Sequence, residues 1–144
     1  MRQIIALTAA ASEMYPNVAH DYARLTELSN ALYDRLVKHP LIHATIGEYR
    51  KVDHLPGIVS ITVDNIDSED LILQLDARGF EVSAGSACTS GNQDASHVLL
   101  AMGIPRSRAL GSLRISFDDR IDPASLDRFC SCLFEIIGEP HAGC

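Results

Sequence analysis

One cysteine stands in a run made otherwise of small and hydroxylated residues, Ser83-Ala84-Gly85-Ser86-Ala87-Cys88-Thr89-Ser90-Gly91. The run lacks the bulk of a core strand and the apolar period of a helix, so it predicts a mobile loop that holds a thiol away from the core. The chemistry such a loop can do is nucleophilic. The thiolate is the attacking form, and only a small fraction of a free cysteine is ionised at neutral pH. On a tether of this kind one sulfur can visit two sites in turn. The competing reading is a surface loop with an incidental cysteine.

The other cysteines, Cys130, Cys132 and Cys144, crowd the C-terminal end, which is not the pattern of a disulfide framework. Cys130 and Cys132 are two apart on a predicted helix and so point to different faces. Cys130 shares an apolar stripe with Leu126, Leu133 and Ile137 and is expected in the core. Cys132 falls with Arg128 and Glu135 on the expected polar face. The spacing disfavours zinc, which usually takes a Cys-x-x-Cys pair, and no metal is expected.

Several elements must position the cysteine loop. An alanine-rich apolar stretch runs from Ile4 to Met14 until Tyr15-Pro16 interrupts it. Tyr22, Leu25, Leu28, Leu32 and Leu36 recur at helical steps and predict a helix over 18–37, closed by Lys38-His39-Pro40. A short strand is expected around 43–46. Ile58-Val59-Ser60-Ile61-Thr62-Val63 alternates and is β-branched, the clearest strand in the chain. Asp67 or Ser68 then caps a helix with Glu69 and Asp70 in its first turn and Leu71, Ile72 and Leu75 on its apolar face, ended by Gly79. Phe80-Glu81-Val82 reads as a short strand leading into the loop. Asp94 is placed as the cap of a helix through Met102, and Leu113 to Phe117 as another strand. Asp122-Pro123 opens a last helix to about Ile137, before Gly138. Strands are few and their connections short. The fold class expected is α+β, a small antiparallel or mixed sheet of three to four strands covered by helices. A single domain is expected over 1–144, with an unstructured tail over 139–144.

The 144 residues carry a net charge of −7 and 47% hydrophobic residues. That composition fits a globular domain with a real core. The negative balance and the lack of clustered lysine argue against nucleic-acid binding. No stretch reaches the length of a membrane span, and no leader with a cleavage site is evident, so a cytoplasmic location is expected.

Three segments together carry a resemblance: Ser83 to Gly91; Ala95-Ser96-His97-Val98-Leu99 with Met102-Gly103; and Ser112-Leu113-Arg114-Ile115-Ser116. At this separation they resemble the C-terminal portion of the cysteine desulfurases that feed iron–sulfur cluster assembly, within the class V aminotransferase-like pyridoxal phosphate enzymes. Leu55-Pro56-Gly57-Ile58-Val59-Ser60-Ile61 and the helix through Leu71, Leu75, Asp76 and Gly79 resemble the same family, so the likeness covers roughly residues 1–137.

The resemblance implies the small C-terminal domain of a fold-type I pyridoxal phosphate enzyme. It implies that Cys88 attacks the sulfur of L-cysteine and carries it as a persulfide to an acceptor such as an iron–sulfur scaffold. It implies that Arg114 holds the substrate α-carboxylate, a task suited to a permanently charged bidentate fork. The alternative for Arg114 is an edge-strand arginine in an ordinary salt bridge. His97 is read as helix surface or packing. The family forms homodimers, and its large domain supplies the Schiff-base lysine and most cofactor contacts. The two lysines here, Lys38 and Lys51, do not sit in such a context. The expectation is therefore that pyridoxal phosphate is bound by a separate large domain, that this chain contributes no cofactor contact, and that it is inactive alone.

One local departure stands out. Phe117-Asp118-Asp119-Arg120 replaces the Gly-Arg pair common in the family, bringing two carboxylates near Arg114 in sequence. Two other functions compete. One is a non-catalytic docking module for a scaffold or sulfur acceptor, which would need neither Cys88 nor Arg114. The other is a core-forming piece whose apolar first helix packs on a missing domain.

Overall fold

The computed structural model of the chain describes residues 2–84 and 95–138. Helix α1 spans Arg2–Met14, and a 3-10 turn follows at Tyr15–Asn17. Pro16 has no N–H to donate and sits in that turn, so the helical run changes form there before α2, Val18–Leu36. Strand β1 is Ile42–Ala44 and β2 is Ile58–Val63; α3 is Ser68–Asp76, β3 is Ser83–Ala84, α4 is His97–Ala101, α5 is Arg106–Ala109, β4 is Ser112–Ser116 and α6 is Pro123–Ile137.

The strands form one wholly antiparallel sheet in the order β1-β2-β4-β3. Alternation decides its two faces. Val59, Ile61 and Val63 of β2 and Leu113 and Ile115 of β4 are buried in the main core. Leu32, Tyr33 and Leu36 of α2, Leu71 and Leu75 of α3, and Phe129, Cys130 and Leu133 of α6 join them. Helices α2, α3 and α6 thus cover one face of an α+β sheet, as the sequence pattern predicts. Ser60, Arg114 and Ser83 point away from that core by the same alternation.

Buried polar contacts fix the central strand. The hydroxyl of Ser29 on α2 accepts the N–H of Gly57 at 2.8 Å. The phenol of Tyr33 accepts the N–H of Ser60 at 3.0 Å and donates to its carbonyl at 3.4 Å. Both are buried groups that find partners, which avoids the penalty of an unpaired polar atom. The Asp122 carboxylate accepts the N–H of Ala124 at 3.1 Å and caps α6, with Pro123 in the first turn as expected.

Four expectations are corrected. Phe80 to Val82 are not a strand. Gly79, at φ +83°, ends α3 in a left-handed residue, and the N–H of Phe80 reaches back to the Leu75 carbonyl at 3.0 Å while that of Gly79 reaches Asp76 at 2.9 Å. Phe80 belongs to that cap, and pairing starts at Ser83. The helix after the loop begins at His97 with Ser96 at its cap position, and the expected cap, Asp94, lies outside the described residues. A further helical turn at Arg106–Ala109, too short to show an apolar period, was not expected. Cys132 is buried, not on a polar face, because α6 packs against both α2 and α3 and so buries more than one stripe. The tail from 139 is also outside the described residues.

Candidate functional site

Arg114 lies on β4, which is not an edge strand. It stands between β2 and β3, with Ser60 directly opposite on one side and Ser83 directly opposite on the other. Residues paired this way share a face, with side chains close enough to interact. Arg114 is exposed while its strand neighbours Leu113 and Ile115 are buried. The backbone of the arginine is therefore held rigidly and its guanidinium presented on the sheet face away from the main core.

That guanidinium has no ion pair or hydrogen bond among the described residues. Two carboxylates, those of Asp64 and Asp118, are engaged elsewhere. Asp64, which continues the same face of β2, accepts from Nε2 of His43 at 2.8 Å and from Nε of Arg108 at 3.3 Å. Partial burial pushes the Asp64 carboxyl up, but His43 and Arg108 outweigh this and hold it below the ordinary value. Asp118, one of the two extra carboxylates of the family departure, is bonded by the guanidinium and the N–H of Arg120, and these contacts lower its pKa. The carbonyls of Asp119 and Ile121 accept from Arg24 of α2 at 3.0 Å each. The loop after β4 is thus pinned to α2, and neither extra carboxylate is bonded to Arg114.

Cys88 lies outside the described residues, as does all of 85–94. The flanks of that segment are described. Ala84 pairs with Leu113 at the end of β3, and Ala95 is buried with Leu99 and Ala109 in a second small cluster. His97 is exposed at the start of α4. One hydroxyl on the open-face side of β2, that of Thr62, is buried without a partner among the described residues.

Both lysines lie at the surface. Lys51 pairs with Glu48 at 2.9 Å and is 73% exposed, and Lys38 is exposed just past α2. The described residues hold no cluster of His, Cys, Asp and Glu fit for a metal, and no helix among them is long and apolar enough to cross a membrane.

The model of the class V aminotransferases matches residues 1–129. The chain belongs to that family. It is 31% identical over 93% of its length to the cysteine desulfurase IscS of Methanosarcina thermophila, and 30% identical over 94% to the cysteine desulfurase of Gluconacetobacter diazotrophicus. It spans 32% and 34% of those relatives, about a third. Among solved structures, a NifS-like protein from Rickettsia africae aligns with a TM-score of 0.74 at 26% identity, covering 89% of this chain and 32% of that one. The cystine C–S lyase C-DES, solved with its reaction product cysteine persulfide, shares the fold at a TM-score of 0.56 and 14% identity, over 80% of this chain and 24% of that one. This chain is thus a cysteine desulfurase-related domain of a pyridoxal phosphate-dependent family. Its helices and four-stranded antiparallel sheet are those of its structural neighbours.

Proposed function

We propose that this chain is the sulfur-carrying small domain of a cysteine desulfurase. Arg114 holds the α-carboxylate of L-cysteine, and Cys88 takes the sulfur. The observation that carries this reading is the position of Arg114: a guanidinium with no partner among the described residues, on a central strand, directly opposite the residue that leads into the Cys88 segment. Cys88 follows Ser83 by five positions. Chain geometry limits that step to about 18 Å.

The Cys88 thiolate attacks the substrate sulfur, and an S–S bond forms as the substrate Cβ–S bond breaks. The Cβ carbon keeps the electron pair and takes a proton, giving L-alanine, and Cys88 becomes a persulfide. Handing that terminal sulfur to an acceptor thiol, such as one on an iron–sulfur scaffold, restores the Cys88 thiolate. Pyridoxal phosphate requires a Schiff-base lysine, and the cofactor belongs to a large domain. Helix α1 supports such a partner. Ile4, Ile5 and Leu7 are 69%, 67% and 72% exposed, and every α1 residue described is exposed. An apolar helix of this kind calls for cover.

The test uses the assembled, cofactor-loaded enzyme, this chain with its large domain. Cysteine-dependent alanine formation should require both parts, and Cys88 should gain one sulfur by mass spectrometry after a single turnover. Cys88→Ala should form no persulfide and should stop sulfide release. Arg114→Ala should raise KM for L-cysteine by about tenfold to a hundredfold, the loss expected for charge-assisted hydrogen bonds. Normal turnover in Cys88→Ala would sink the carrier role.

A further inference from the structure

An arginine in the middle of a sheet with no partner among the described residues needs an explanation. Cross-strand neighbours of opposite charge attract, and a long carboxylate opposite Arg114 would fold down onto its guanidinium. Both positions opposite Arg114 are instead occupied by serine, Ser60 and Ser83. Their hydroxyls have no side-chain partner among the described residues. Ser60 is placed with care: Tyr33 holds its N–H, and the N–H and hydroxyl of Thr45 each donate to its carbonyl at 3.1 Å. Asp64, which continues that face of β2, and Asp118, in the following loop, are occupied by His43, Arg108 and Arg120.

We propose that Ser60 and Ser83 are positioning residues that determine how tightly the site takes a carboxylate. They act through Arg114, flanking it with short, uncharged side chains that leave its fork uncommitted. The inference rests on the reading of Arg114 as the carboxylate holder and extends it to the two residues that keep it available. The ligand class is a compact monocarboxylate, the α-carboxylate of an amino acid. A negative charge at either serine position becomes an internal competitor for the same fork.

The experiment compares glutamate with glutamine at each position in the assembled, cofactor-loaded enzyme. The two side chains match in size and reach and differ in charge. Ser60→Glu and Ser83→Glu should each raise KM for L-cysteine at least about threefold over Ser60→Gln and Ser83→Gln, with kcat little changed between the members of each pair; an opposite-charge cross-strand pair supports a factor up to about five. Calorimetric titration with propionate, which carries the carboxylate and no reacting sulfur, should show the same order of Kd. Circular dichroism and urea unfolding establish that the paired variants fold alike. Equal KM and equal propionate affinity in the Glu and Gln variants, with Arg114→Ala still raising KM, would overturn the serine proposal and leave the Arg114 reading standing. An unmoved KM in Arg114→Ala would overturn both.

Discussion

Gly111 lies so close under Val63 that a β-carbon added to it would stand 2.0 Å from the Val63 carbonyl oxygen. The same added atom would lie 2.7 Å from the carbonyl oxygen of Ile66. Both obstacles are backbone, so no side chain can swing aside. The contact is also bonded, since the Val63 N–H donates to the Gly111 carbonyl at 2.9 Å. Gly111→Ala must therefore push the start of β4 away from the end of β2. The expected loss is about 3 kcal/mol or more, at the upper end of overpacking effects. Urea unfolding should show a lower midpoint at an unchanged slope. Because β4 also carries Arg114 three residues on, the same variant should weaken carboxylate binding even under conditions where it stays folded.

Much of this architecture was legible in the residues. Ile58 to Val63 pairs as its alternation predicts, and α6 starts at Pro123 and ends at Ile137 as its cap and glycine predict. The errors share a cause. Phe80 and Val82 have strand propensity, but the Gly79 cap claims Phe80, whose ring meets Phe129 edge-on at a centroid distance of 5.6 Å. The register with Leu113 and Arg114 then starts pairing at Ser83. Tertiary context overrides propensity at such short elements. Cys132 shares a stripe with Arg128 and Glu135, yet α6 packs against both α2 and α3, which buries it. The role proposed for Arg114 came from its motif, but its lack of a partner among the described residues did not. That depended on where His43, Arg108 and Arg120 direct their own contacts, which no local pattern reveals.

Asp64 gives a prediction at low pH. Its carboxyl sits below the ordinary 3.8, because the His43 and Arg108 contacts outweigh the upward push of burial. A lowered pKa in the folded state means stability that is present above the unfolded value and lost as pH falls through the folded one. Urea unfolding from pH 6 down to pH 3 should therefore show a loss of stability below about pH 4 that Asp64→Asn reduces. An acid limb identical in the two proteins would refute the role given to this carboxylate.

Cys130 gives the opposite prediction. Burial is the main cause that raises its thiol from 9.0 to about 11, and Arg35 opposes it only in part. A raised pKa means stability fully present below about pH 9 and lost as pH climbs toward 11. The loss across that window is about 2–3 kcal/mol, from a shift of about two units. Cys130→Ala is destabilised at pH 7 by the missing contacts, yet its stability should fall less steeply between pH 9 and 11. Native-state thiol labelling should also be slow at Cys130 and Cys132, which are both buried.

The last prediction concerns α1. Its 13 residues present Ile4, Ile5, Leu7 and Met14 to solvent, and the 3-10 turn at Tyr15–Asn17 separates it from α2. A helix this short gains little stability from its own hydrogen bonds in water. In the isolated chain, backbone amides of α1 should exchange with deuterium far faster than those of α2 and α6, whose faces are buried in the core. Adding the cofactor-bearing large domain should slow the exchange of α1 selectively, because its apolar surface then gains cover. Leu7→Asp should remove that slowing and weaken assembly about tenfold or more, as expected when a charge is placed in an apolar interface, while the unfolding of the isolated chain changes little. Protection of α1 in the isolated chain at low concentration, unaltered by the large domain, would show that the helix is not the surface on which the two parts meet.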